Sequence, residues 1–114
     1  MGATKKYFYS PDHLKLADLY KALGHPARVS LVQQMLKQPY SNCKDLQSAV
    51  QLSSSSVTQH LRVLHESGIT GYEVIHNNCI YSVNPHAIDL LADNLLDFST
   101  QVRDFSERVY CKDL

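Results

Sequence analysis

The spacing of apolar positions predicts five helices and one hairpin. From Pro11 onward, Leu16, Leu19, Tyr20 and Leu23 fall at i, i+3, i+4 and i+7, one helical face, and Gly24 ends the run. Pro26 suits a first helical position, His25 before it is expected to cap or pack, and Val29, Val32 and Leu36 carry an apolar stripe to about Lys37. Pro39 stops that helix because it cannot continue the backbone ladder. Ser41 is the expected N-cap of a short third helix with Leu46, Ala49 and Val50 facing inward. Ser53 or Ser54 caps a fourth, which buries Val57, Leu61 and Leu64 and stops at Gly68. The third and fourth, joined by a short turn, have the layout of a helix-turn-helix.

Between Ile69 and Val83 the pattern turns β-branched and aromatic, with Ile69, Tyr72, Val74 and Ile75 on one side of Asn77-Asn78 and Ile80, Tyr81 and Val83 on the other. Asparagine tolerates positive φ, so a tight hairpin turn is expected there. Asn84-Pro85 then reads as an N-cap and first helical residue opening a long last helix, residues 85–110. Along it Ile88, Leu91, Leu95, Phe98, Val102, Phe105 and Val109 alternate in steps of three and four. That is the seam by which one helix packs along another. The seam could lie against the helix's own domain. A two-fold dimer is preferred, because Leu90 and Leu96 add a second apolar edge that one small domain cannot easily cover as well.

A length of 114 residues and 44% hydrophobic content fit one domain, 1–114, with residues 1–10 as an uncertain arm. No apolar run approaches the ~20 residues of a membrane span, and the first ten residues lack a signal-peptide core. Three cysteines at scattered spacings make no disulfide framework, so a reducing cytoplasm and no membrane partner are expected. The formal charge of zero argues against a strongly basic nucleic-acid binder until its distribution is read. Met1 to Lys44 holds seven basic and two acidic residues, whereas Asp45 to Leu114 holds four basic and nine acidic. The total thus conceals a polar molecule able to turn one face toward a polyanion.

The fourth helix supplies a reading face. Opposite its apolar side, Ser55, Thr58, Gln59 and Arg62 follow i, i+3, i+4 and i+7, with Ser54 and Ser56 in the first turn and no acidic residue before Glu66. Hydroxyls and amides contact phosphates and base edges, Gln pairs bidentately with adenine, and Arg pairs with guanine or phosphate.

In this order the segments "ALGHPARVSLVQQML", "CKDLQSAVQLSSSSVTQHLRVLHESGI", the hairpin, "IYSVNP" and the long helix resemble the ArsR/SmtB-type winged-helix repressors over about Leu16 to Leu96. The specific part runs from Leu52 to Gly68. The resemblance implies a mainly α, winged helix-turn-helix fold of five helices and a two-stranded wing, dimeric through its first and last helices. It also implies a cytoplasmic homodimeric repressor on a pseudo-palindromic double-stranded DNA operator, with the fourth helix in the major groove. DNA-binding residues are then Ser54, Ser55, Ser56, Thr58, Gln59, His60 and Arg62, joined by His76, Asn77 and Asn78 at the wing. Two positions depart from the family: Ser54 stands where many members have Gln, and the wing carries Glu73 but no Arg or Lys. Modest binding that depends on both half-sites is expected.

The family's sensing chemistry does not transfer. Its Cys-x-Cys pair falls on Asn42 and Lys44, around Cys43, and its metal ligands on the last helix fall on Pro85, Ala87, Phe98 and Gln101. Its redox cysteine pair is matched by Cys111 alone, since the first member falls near Gln33. Cys43 and Cys111 are therefore a possible redox pair, set against three unconnected thiols. His76 with Cys79, and His86 with Asp89, supply at most two ligands each, short of a tight zinc site. No metal and no cofactor are expected, and any small inducer is unidentified. Two other function classes stand beside the DNA-binding one: a degenerate winged-helix module that binds protein without DNA, and an enzyme. The enzyme is weakest, because no nucleophile motif, phosphate-cradling loop or metal-ligand spacing is present.

Overall fold

The computed structural model describes residues 8–110. Most of the predicted arm, and Cys111, lie outside the described residues, as does the side chain of Val109. The elements run α1 (Pro11–Leu23), α2 (Pro26–Lys37), β1 (Ser41–Asn42), α3 (Cys43–Val50), α4 (Ser54–Ser67), β2 (Thr70–Ile75), β3 (Asn78–Val83) and α5 (Pro85–Tyr110). The helix boundaries follow local chemistry. The Ser10 hydroxyl accepts the His13 N–H at the head of α1, and His25 Nδ1 accepts the Ala27 N–H at 3.0 Å to cap α2. Asn84 Oδ1 accepts the His86 N–H at the head of α5. Its own N–H and amide donate to the carbonyls of Ile69 and Gly68, tying that helix to the end of α4.

The cap of α3 is Asn42 rather than Ser41. Asn42 Oδ1 accepts the Asp45 N–H at 2.8 Å and Asp45 Oδ2 accepts the Asn42 N–H at 3.1 Å, a reciprocal box that serine could not close at the position before. Ser41 instead lies fully buried in β1 and donates to the Gln38 carbonyl. That short strand makes the wing three-stranded, in the order β1-β3-β2. The hairpin also turns one residue earlier than its asparagines suggest. His76 and Asn77 hold positive φ of 50° and 67°, and Asn78 begins β3 opposite Ile75. Two successive left-handed residues match the twist of the flanking strands.

One core cluster joins Leu19, Leu31, Leu46, Val57, Leu61, Leu64 and Ile69, all at most 2% exposed, with Ala87 and Leu91 of α5 at its rim. In α2 the buried stripe is Leu31, Val32 and Met35, while Val29 and Leu36 face solvent. The helix has apolar residues on more than one side, so the contact with α3, α4 and β3 selects the face. Ala49 of α3 likewise lies outside the core. Only the first half of α5 packs inward. Beyond Asn94 it projects, and the radius of gyration is 18.1 Å, against about 13 Å for a compact chain of this length.

Candidate nucleic-acid interface

α4 begins in a serine-rich turn whose hydroxyls bond to one another. Ser53 Oγ accepts the Ser56 N–H at 3.3 Å and lies 3.0 Å from the Ser56 hydroxyl and 3.3 Å from that of Ser55. Val57, Leu61 and Leu64 then anchor one side of the helix in the core. The anchored side fixes the opposite one, where Ser54, Ser55, Thr58, Gln59 and Arg62 are exposed. Thr58 donates its hydroxyl proton back to the Ser54 carbonyl at 2.9 Å, leaving its oxygen as an acceptor. Ser56 is half-buried.

His60 takes a different place. It turns toward the start of α2, where its Nδ1 lies 3.4 Å from Arg28 Nη1 and its ring centroid 4.5 Å from that of His25. Arg28 is itself held by the Ala22 carbonyl at 2.6 Å and the Lys21 carbonyl at 3.4 Å, so it locks the end of α1 to α4. As the partner of a guanidinium, Nδ1 is the acceptor and the ring proton sits on Nε2.

The wing meets α4 through aromatic rings. Tyr72 and Tyr81 are cross-strand partners with centroids 5.8 Å apart, and Tyr72 lies 4.9 Å from the His65 ring. His65 Nδ1 is 3.3 Å from the Thr70 carbonyl. These three residues set the angle of the wing against the helix, and sequence reasoning gave them no role. A turn centred on Asn77-Asn78 would set Tyr72 opposite Val83, which hides the pair; the true turn exposes it. At the tip, His76, Asn77 and Asn78 are exposed, alongside Val74 at 65% and Ile75 at 40%.

Residues 25–70, from the α2 cap to the first residue of β2, match the family model described as bacterial regulatory protein, arsR family. The HTH-type transcriptional regulator Rv0081 of Mycobacterium tuberculosis (strain ATCC 25618 / H37Rv) is 35% identical over 77 residues, covering 67% of this chain and 68% of the relative. The chain belongs to the ArsR family. Its fold superposes on the crystal structure of M. tuberculosis Rv0081 with a TM-score of 0.62 at 30% identity, covering 89% of this chain and 99% of that one. An ArsR-like transcriptional regulator from Rhodococcus sp. RHA1 gives a TM-score of 0.72 at 14% identity, over 88% and 97% of the two chains, a likeness of fold alone. The transcriptional repressor BigR from Xylella fastidiosa gives 0.61 at 24%, over 84% and 97%. This ArsR-family chain is a winged helix-turn-helix transcriptional regulator, and its relatives are regulators, not enzymes. Among the described residues no helix is long and apolar enough to cross a membrane. Nor do three or more His, Cys, Asp or Glu residues group there as a metal site.

The surroundings of His60 predict a sensitivity to acid in this ArsR-family domain. Burial first, then the charges of His25 and Arg28, hold His60 below its ordinary value of 6.5. The unfolded chain therefore takes up a proton that the folded chain refuses. The contribution of His60 to stability is therefore expected to be constant above that pH and to be lost below it, until the folded imidazole titrates. His60→Gln is expected to flatten this limb in urea titrations carried downward from about pH 6.5. An unchanged limb would assign the acid sensitivity to another group.

Proposed function

We propose that this ArsR-family regulator is a homodimeric repressor that binds a pseudo-palindromic operator with α4 in the major groove and leaves it when a signal arrives. The observation that carries the reading is the division of α4: three fully seated apolar side chains fix a face of exposed hydroxyl, amide and guanidinium groups. The Gln59 and Arg62 side chains make no hydrogen bond within the described residues, so both remain available to base edges or phosphate. The repressor assignment is supported by the likeness to a chain described as a transcriptional repressor.

Dimerisation is supported by α5. Leu95, Leu96, Phe98, Val102 and Phe105 are each 53–63% exposed, far more than isolated surface apolar residues require. Tyr20 of α1 donates to Asn94 Oδ1 at 2.5 Å, joining the two helices into one platform.

Gln59→Ala and Arg62→Ala are each expected to weaken binding to the DNA upstream of the chain's own gene by ~1–3 kcal/mol, with fold and oligomeric state unchanged. Fluorescence titration reads this, and unchanged affinity in both variants removes α4 as the reader. A second reading is favoured by one observation: the wing has no Lys or Arg and exposes Val74 and Ile75. On that reading the domain docks on protein without DNA. Binding whose affinity falls steeply with salt supports the repressor, and none at low salt supports the docking module.

A further inference from the structure

Cys43 and Cys79 are distant in sequence, but Cys43 heads α3 directly after β1 and Cys79 lies in β3, the strand that β1 pairs with. β1 pairs with β3 in the register Ser41↔Tyr81 and Asn42↔Ile80, and Cys43 follows at once as the first residue of α3, so the register carried on by one residue sets it opposite Cys79. Asn42 is still extended, with φ −91° and ψ 176°, so the ladder's geometry carries up to the Cys43 Cα where α3 begins. Facing residues of an antiparallel pair keep their Cα atoms ~4.5–5.5 Å apart, within the ~4.4–6.8 Å that a disulfide spans.

Thr58 links the surroundings of the two side chains. Cys79 and Tyr81, two apart on β3, point to one face and line a cleft completed by Thr58, Arg62, His65 and Tyr72. Cys43 Sγ lies 4.0 Å from Thr58 Oγ1, a wall of that cleft. Both thiols are half-buried and free. Burial pushes the Tyr81 phenol above its ordinary value, and the charges of Cys79, Cys43 and Tyr72 add to the rise.

We propose that Cys43 and Cys79 form a dithiol site that reacts with low-molecular-weight disulfides and closes to an intramolecular disulfide between the head of α3 and the wing. One thiolate attacks a sulfur of R–S–S–R, forming a mixed disulfide and releasing R–S⁻. The second thiolate attacks the protein sulfur of that mixed disulfide, breaking its S–S bond and releasing a second R–S⁻. The two protein thiols lose two electrons and two protons, and the small disulfide leaves as two thiols. The product pins β3 to α3 beside Thr58, and the chemistry stands whether or not α4 reads DNA. It replaces Cys111 with Cys79 as the partner of Cys43.

The test uses the full chain, reduced, then incubated with oxidised glutathione, alkylated and digested without reductant. Loss of two hydrogens from the intact mass and a Cys43–Cys79 linked peptide as the major product are expected, in the wild type and in Cys111→Ser alike. Cys43→Ser and Cys79→Ser should instead accumulate one glutathione adduct on the remaining member of the pair. If either variant fails to fold, the wild-type and Cys111→Ser maps decide alone. Glutathione adducts on Cys43 and Cys79 that never proceed to the link, or a Cys43–Cys111 peptide as the main product, overturn the proposal.

Discussion

Phe98→Glu is expected to convert the homodimer to monomers and to lower operator affinity by ~10²–10⁴-fold, the gain that linking two half-sites confers. The substitution falls in the middle of the projecting half of α5, flanked one turn away by Leu95 and Val102, all three more than half exposed in the single chain. In a two-fold interface one change acts twice, because the same patch is used by both subunits. Burying a phenylalanine contributes ~1.5–3 kcal/mol, so the pair of losses is about twice that, before any cost of desolvating two carboxylates. The fold should survive, because the core ends at Leu91, two turns earlier. Light scattering reads the mass and titration reads the affinity. A variant that stays dimeric, or a monomer that binds as tightly as the wild type, would contradict the proposed interface.

The dependence should be unusually strong in this chain. Its wing offers no cation, and Arg62 is the only Lys or Arg that α4 carries. Each half-site contact is then weak, and affinity rests on engaging two at once. The zero net charge is consistent with this: the acidic residues gather toward α5, and the basic surplus lies in the first forty-four positions.

Helix limits were legible because residues with few conformational options mark them. Pro11, Gly24, Pro26, Gly68 and Asn84-Pro85 all stand where the chain changes direction. The inward side of α4 was legible for a related reason, since its Val57, Leu61, Leu64 period has no competing apolar stripe. In α2 a competing stripe exists, and sequence period selected Val29 and Leu36 where tertiary contact buries Leu31 and Met35. β1 left no signature because two residues cannot show a period. Its pairing with β3 is what brings Cys43 to Cys79, so that site was hidden in the sequence. The reading face of α4 was visible because its chemistry lies on one continuous helix.

Leu64→Ala is expected to cost ~2–5 kcal/mol of stability, a large share of the ~5–15 kcal/mol that holds a domain folded. Leu64 is 0% exposed, sits in the core cluster and belongs to the helix that meets α1, α2, α3 and β2, so a cavity there opens inside the core. The surrounding helices cannot all close inward, because α1 and α2 are held to each other through Arg28, which binds the Ala22 carbonyl. A large cavity term is therefore expected, toward the upper part of the range. The Leu64 carbonyl accepts the Ile69 N–H at 3.1 Å and the Ser67 hydroxyl at 2.8 Å, and truncating the side chain leaves both bonds in place. The loss should thus appear as a lower urea midpoint with an unchanged slope. DNA affinity per folded dimer should be almost unaltered, the reverse of Gln59→Ala, which weakens affinity and spares stability. If the proposed dimer forms, association stabilises the folded subunits, and the midpoint of Leu64→Ala should also rise with protein concentration. A fall smaller than about 1 kcal/mol would mean that the helices collapse onto the vacancy, and α4 would then be a softer support for its reading face than its packing implies.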